Sequence, residues 1–143
     1  MYKINIYNNQ NVIGLRMNIR RTRGILKSIL GQERQPVMAL NFVLVDDKQI
    51  RRLNRKYLGR NRITDVIAFP LPDEKGLPMD NIKGEVAICV EEAYRQSRKR
   101  NIPLNKELLL YCIHGLLHLI GYDDRTEKDR LRMERKQLNY LKS

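Results

Sequence analysis

Both histidines of this sequence fall in the segment 114–124, whose sequence is HGLLHLIGYDD. His114 and His118 lie four residues apart, so on a helix they would occupy the same face, one turn apart. Two imidazoles in that arrangement can reach one ion, at about 2.0–2.1 Å for zinc. Gly121 can adopt the left-handed conformation that ends a helix, after which the chain can bring Asp124 to the same point. The spacing predicts a zinc site formed by His114, His118 and Asp124.

Position 115 separates this segment from the zinc proteases. The metzincin proteases share the two helical histidines, the glycine turn and the ligand three residues beyond it, but have a glutamate base after the first histidine. This chain has Gly115 there, which argues against a zinc peptidase.

The segment also has an interpretation without metal. Residues 108–120 are apolar almost throughout, and a buried helix can satisfy its histidines by hydrogen bonds.

The composition indicates one domain with a basic surface. A chain of 143 residues, 42% hydrophobic and 31% charged, can form one core, and we expect a single domain over residues 1–143. Lysine and arginine outnumber aspartate and glutamate by 28 to 16, so the net charge is +12 and the pI is near 10.0. This excess favours nucleic acid as a partner. Charge that only keeps a protein in solution explains it equally well.

The cysteines and the first residues favour a cytoplasmic protein. Cys89 and Cys112 are the only cysteines, and both lie in apolar stretches, as small core residues do in a reducing compartment. Residues 1–7 alternate apolar and polar side chains and do not resemble a secretory signal. The apolar run 108–120 is shorter than the roughly 20 residues of a membrane span. We therefore expect a cytoplasmic chain that does not enter a membrane.

Hydrophobic periodicity predicts four strands and five helices. The strands are expected at 2–7, 37–45, 64–70 and 82–90, and the helices at 18–30, 46–58, 91–99, 108–120 and from about 126 to 141. The proline-rich residues 71–80 are expected to form a mobile surface loop. The expected helix ends are Gly31 and Gly59, and the expected N-caps are Asp46, Asn105 and either Asp124 or Thr126.

The order of these elements predicts an α+β domain. It would have one small mixed sheet of about four strands and a helical layer that holds the metal site. Crossover helices follow the first two strands, which favours some parallel pairing. The strand at 82–90 is preceded by a loop, so it could pair antiparallel.

Four motifs resemble those of the YbeY family of bacterial endoribonucleases, also called rRNA maturation factors. They are LN at 53–54 with Tyr57, TDVIAFP at 64–70, GEVAI at 84–88 and the segment 114–124, which is the most specific. The resemblance implies an α+β fold whose metal helix is similar to that of zinc proteases. It also implies a zinc-dependent, single-strand-specific endoribonuclease that matures ribosomal RNA, notably at the 3′ end of the small-subunit RNA, and acts in ribosome quality control.

Two positions depart from the family pattern. Asp124 stands where the family usually has a third histidine, and a carboxylate oxygen can bind zinc at about 2.0–2.2 Å. Leu58 stands where the family usually has an arginine that is important for activity. Arg55, Arg60 or Arg62 could supply the missing cation to the substrate.

The expected chemistry uses one zinc ion per chain as Lewis acid and water activator, with one coordination position open. Three mechanisms remain open: direct attack by the activated water, attack by the RNA 2′-hydroxyl, or proton removal by Asp123. Asp123 could equally orient a histidine ligand. Thr64 and Asp65 could line the same cleft, or could only cap the start of a strand.

The expected partner is ribosomal RNA in the small ribosomal subunit, and the oligomeric state is unknown. A second function fits the sequence: a metal-stabilised module that binds RNA or the ribosome without catalysis. Asp124, Leu58 and the basic surface favour that alternative. Cleavage of single-stranded RNA that is abolished by chelation would separate the two.

Overall fold

The computed structural model describes residues 1–71 and 82–142, which form one four-stranded sheet and five helices. This architecture confirms the predicted α+β class. The expected loop at 71–80 lies outside the described residues except for Leu71. The elements in chain order are β1 (Lys3–Asn8), α1 (Ile19–Gln32), β2 (Ala39–Val45), α2 (Asp47–Leu58), β3 (Val66–Pro70), β4 (Ile82–Cys89), α3 (Val90–Arg100), α4 (Leu104–Leu119) and α5 (Glu127–Leu141).

The sheet is mixed, with the strand order β1-β2-β4-β3. β1 and β4 each pair with β2 in parallel, and β3 pairs with β4 antiparallel. Parallel neighbours need a crossover connection, which α1 supplies between β1 and β2. The structure thus confirms both expectations about pairing, since β4 has a parallel neighbour on one side and an antiparallel one on the other.

Helices cover both faces of the sheet. On one face, buried residues of α1, α4 and α5 pack against alternate strand residues such as Phe42, Val86 and Ile88. On the other face, Ile50 of α2 packs in a smaller cluster with Ile67 of β3. Among the helices of the described residues, none combines the length and the apolar character that crossing a membrane requires.

Local interactions explain three of the predicted helix boundaries. Asp46 caps α2 through a capping box with Gln49, in which each side chain accepts from the other residue's backbone N–H. Gly59 ends α2 in the left-handed conformation, with φ of 67°. Thr126, one of the two expected caps, accepts from the backbone N–H of Asp129 at the start of α5.

Two predicted boundaries are wrong. Gly31 does not end α1, which continues through Gln32, and the left-handed residue after this helix is Arg34, with φ of 54°. Asn105 does not cap α4, because its side chain donates to the Arg16 carbonyl at 2.9 Å. The N-cap is Pro103, so α4 begins before its apolar run. Proline is suited to a helix start because it has no N–H to leave unpaired.

The central helix α4 lies unusually close to the sheet at Gly115. A Cβ atom built there would lie 2.4 Å from Val86 Cγ1 and 3.1 Å from Val66 Cγ1. Any side chain at this position would push α4 away from β3 and β4. The glutamate of the protease motif is therefore sterically excluded.

We expect Gly115→Ala to lower the free energy of unfolding by about 1–3 kcal/mol, because the added methyl group overpacks this contact. Urea denaturation measures the change. The matched control is Gly24→Ala in α1, where a Cβ meets nothing within 4 Å. The free energy of unfolding of this control should be unchanged or higher by about 0.5–1 kcal/mol. Equal stability of Gly115→Ala and the unmodified chain would contradict the steric argument.

Candidate metal centre

The three predicted ligands meet at one point. His114 and His118 lie in the last two turns of α4, and Gly121, with φ of 111°, turns the chain so that Asp124 returns to the histidines. One ligand atom of each residue lies within 4.8 Å of the others. The His114 and His118 Nε2 atoms are 3.1 Å apart, and Asp124 Oδ2 is 3.5 Å from His118 Nε2. In residues 1–71 and 82–142, no other group of three such side chains converges this closely.

Hydrogen bonds fix the orientation of both rings. His114 Nδ1 bonds to Oε1 of Gln137 in α5, and His118 Nδ1 bonds to the backbone carbonyl of Tyr122 at 3.1 Å. Because both partners are acceptors, each Nδ1 carries the proton and each Nε2 presents a lone pair. Two such lone pairs and a carboxylate repel one another unless a cation lies between them. The donor set therefore fits a metal ion.

Burial favours the form of His114 that binds metal. The enclosed position lowers the pKa of His114, against an opposing effect of its hydrogen bond to Gln137. A neutral imidazole is the form that coordinates metal, since the protonated ring has no free lone pair. The fold thus prepares His114 as a ligand.

The expectation that Asp123 orients a histidine is wrong. Its Oδ1 accepts from the backbone N–H groups of Asp124 at 2.7 Å and Arg125 at 3.2 Å, and its Oδ2 lies 3.3 Å from Arg125 Nε. Both Nδ1 atoms are already bonded to Gln137 and to Tyr122. Asp123 instead stabilises the turn that carries Asp124.

Sequence reasoning missed the two groups that orient the rings. The group that orients His118 is the backbone carbonyl of Tyr122, and every residue has such a carbonyl, so residue types do not reveal it. Gln137 left a usable sign, because it occupies the buried face of α5 together with Met133 and Tyr140. A glutamine on an apolar stripe needs a buried hydrogen-bond partner, and this one is satisfied by His114.

A cleft of about 500 Å³ opens onto the metal centre between β3 and the turn at 121–125. Thr64 and Asp65 line it, as one of their two interpretations predicted. Of the three candidate substrate-binding arginines, Arg60 lines the cleft, whereas Arg55 and Arg62 are exposed and are not part of its lining. Leu58 also lines it, and so does Arg125, a cation that the sequence analysis did not select.

A hydrogen-bonded cluster at Glu33 ties the ligand turn to the first helix. The Tyr122 hydroxyl donates to Glu33 Oε1 at 2.6 Å, and Lys136 Nζ and the Tyr140 hydroxyl donate to Oε2, the lysine at 3.1 Å. Burial alone would raise the pKa of Glu33, but these hydrogen bonds outweigh it and lower that pKa. Glu33 thereby holds the residue whose carbonyl orients His118.

Comparison with known proteins gives consistent matches. Residues 4–143 match the family model described as Endoribonuclease YbeY. Relatives with the same description are 33% identical over 103 residues in Finegoldia magna (72% of this chain, 67% of the relative) and 31% identical over 138 residues in Protochlamydia amoebophila (96% and 90%). The solution structure of TM1509 from Thermotoga maritima is similar with a TM-score of 0.66 and 32% identity, over 96% of this chain and 86% of that one.

The fold and the matches define an α+β hydrolase that cleaves RNA. This chain belongs to the YbeY endoribonuclease family. The family resemblance inferred from the four sequence motifs is thereby confirmed. The His114, His118 and Asp124 group can bind a metal ion.

We expect Gln137→Ala to weaken zinc binding by about 10–100-fold, because His114 loses the acceptor that orients it. Competition with a chromophoric chelator measures the affinity. Gln32→Ala is the control, since Gln32 is an exposed glutamine of α1 whose side chain donates to the Ser28 hydroxyl at 3.0 Å. The prediction fails if both variants bind zinc as tightly as the unmodified chain.

We expect Glu33→Gln to lower the free energy of unfolding by about 1–3 kcal/mol at neutral pH, because charged hydrogen bonds are lost. The lowered pKa of Glu33 means that its ionised form stabilises the fold above the ordinary glutamate pKa. This contribution disappears as the pH falls through the folded-state pKa. Urea unfolding from pH 7 down to pH 3 should show the two proteins converging in acid. A difference that stays constant with pH would contradict the prediction.

Proposed function

We propose that this chain is a zinc-dependent endoribonuclease that cuts single-stranded RNA, with one zinc ion held by His114, His118 and Asp124. The observation that carries the proposal is the convergence of two imidazole Nε2 atoms and a carboxylate in a member of an RNA-cleaving family. Two imidazoles and one carboxylate are a donor set found at catalytic zinc sites. Three protein ligands of this kind leave a coordination position for the substrate or water.

Charge supports RNA as the substrate. The chain carries +12, and Arg60 and Arg125 line the cleft beside the metal centre. Each arginine can pair with a phosphate through its planar fork of N–H donors. Arg60 lies two residues after Leu58, so we propose that it supplies the cation that the family usually places at position 58.

Residues of this chain other than the ligands bind the substrate and move a proton. Bound zinc would act as a Lewis acid toward the scissile phosphate and would make water more acidic. No side chain fits at position 115, so the base must lie elsewhere. Asp123 lines the cleft one residue from a ligand, and we assign it the role of proton acceptor.

We further propose ribosomal RNA as the physiological substrate, with cleavage at the 3′ end of the small-subunit RNA in the cytoplasm. The family resemblance of the motif at 114–124 and the basic net charge support this proposal. The partner would be the small ribosomal subunit, whose exposed RNA attracts a cationic protein.

The second candidate is an RNA-binding module without catalysis. Leu58 favours it, because an apolar side chain lines the cleft where the family usually has an arginine. Asp124 favours it as well, because a carboxylate ligand adds negative charge and makes bound water less acidic than a third histidine would.

We expect the zinc-loaded chain to cut single-stranded RNA and to spare a duplex of the same sequence, and we expect a chelator to abolish cleavage. Asp124→Ala should lose its zinc, and its activity should fall at least about 100-fold. This effect is larger than that expected from removing a residue that only orients a ligand. Gel analysis of end-labelled RNA and metal analysis of the purified protein measure the two effects. Glu127→Gln, a change of an exposed carboxylate in the first turn of α5, is the control. Zinc-loaded protein that binds RNA without cutting it would establish the second candidate.

A further inference from the structure

A second cavity, of about 520 Å³, adjoins the cleft of the metal centre. Asp65 and His114 line both spaces, so a molecule bound at the metal can extend from one into the other. The rest of the lining comes from α3, α4 and α5. Apart from His114 and its partner Gln137, no residue of this lining has a role in the proposed mechanism.

The second cavity is acidic although the chain as a whole is strongly basic. Asp65, Glu92, Glu107 and Glu134 line it, and its one lining arginine, Arg100, pairs with Glu107 at 3.2 Å. Such a lining repels phosphate and attracts hydrogen-bond donors. These carboxylates do not form a metal site, since the described residues contain three converging ligand atoms only at the metal centre.

One buried polar group in the lining has no hydrogen-bond partner among the described residues. Glu107 is fully buried; its Oε1 accepts from Arg100, but its Oε2 has no hydrogen-bond partner. Beside it, the Tyr111 hydroxyl makes no hydrogen bond to a described residue and is accessible from the cavity that Tyr111 lines. Buried polar groups are nearly always paired, so this carboxylate points to a ligand, and the neighbouring phenol can bond to the same ligand.

These groups and the metal ligands lie on one face of α4. Glu107, Tyr111, His114 and His118 follow one another at spacings of four, three and four residues, which aligns them along the helix. Glu107 precedes His114 by two helical turns, about 10 Å. A ligand that reaches from the metal to Glu107 must therefore combine an anionic group at one end with hydrogen-bond donors at the other. A nucleotide has this construction.

We propose that the second cavity binds the base of the nucleotide whose phosphate lies at the metal centre, and that it selects guanine. The proposal rests on the proposed RNA substrate. Guanine presents two adjacent donors, N1–H and the N2 amino group, which suit the carboxylate of Glu107. Its O6 can accept from the Tyr111 hydroxyl, and Leu110 and Leu138 supply apolar surface for the ring. Adenine, cytosine and uracil lack this pair of adjacent donors. Unstacked bases in single-stranded RNA are recognised through such edge contacts.

Binding of nucleoside monophosphates to the zinc-loaded chain tests the proposal directly. Calorimetry should give at least about tenfold tighter binding of GMP than of AMP, CMP or UMP, as expected from hydrogen bonds to a charged group. IMP differs from GMP only by lacking the N2 amino group, so it should lose most of this advantage.

Two variants and one control test the assigned residues. Glu107→Gln should reduce the preference for GMP over IMP to less than about twofold, and Tyr111→Phe should weaken the binding of GMP several-fold. Glu127→Gln, an exposed change outside the cavity, should leave the preference unchanged. Zinc content and circular dichroism verify that each variant is folded. If Glu107→Gln does not fold, the affinity of Tyr111→Phe for GMP and the comparison of GMP with IMP on the unmodified chain test the guanine subsite instead.

The outcomes separate this inference from the nuclease proposal. Equal binding of GMP and IMP, or an unchanged preference in the folded variants, would overturn the guanine subsite. Selective GMP binding without RNA cleavage would support the subsite and count against the nuclease. Cleavage that is mapped with no preference for sites next to guanosine would support the nuclease and overturn the subsite.

Discussion

The close contact between Gly115 and Val86 determines how the site can be built. It brings α4 against β3 and β4, so that β3 forms the side of the cleft opposite the ligand turn. The same contact removes the position from which zinc proteases extend their base. An enzyme with this helix must therefore take its proton acceptor from another segment, and the turn that carries Asp124 lines the same cleft. Close packing of one glycine thus separates this chain chemically from proteases that share its histidine spacing.

The metal ligands depend on supports from distant parts of the chain. Gln137 of α5 orients His114, and the Tyr122 carbonyl orients His118. Glu33, at the end of α1, in turn holds the Tyr122 side chain. These partners fix which nitrogen of each ring faces the metal, so they prepare the ligand geometry before an ion arrives. The acidic second cavity shares α4 and His114 with this arrangement, so the proposed guanine subsite adjoins the proposed cleavage site.

The sequence predicted what depends on short-range geometry. The spacing of His114 and His118, the turn at Gly121 and the caps at Asp46 and Thr126 each involve a few neighbouring residues, and the structure reproduces them. Contacts between distant residues were beyond its reach. Gln137 lies 23 residues from His114, and Glu33 lies 89 residues from Tyr122. The Gly31 boundary failed for another reason: glycine is tolerated inside a helix as well as after one, and tertiary packing decides between them.

The supports of the metal centre come from both the first and the last helix, α1 and α5. During synthesis, the ribosome would release α4 and its two histidines before α5 has emerged. At that stage His114 Nδ1 has no Gln137 to bond, and the rings are free to turn. Metal capture at full affinity, and with it the zinc-dependent cutting of RNA that we propose, would begin only after α5 has docked. Under the proposed function, a nascent chain would therefore cut the ribosomal RNA that surrounds it much less than the folded chain does.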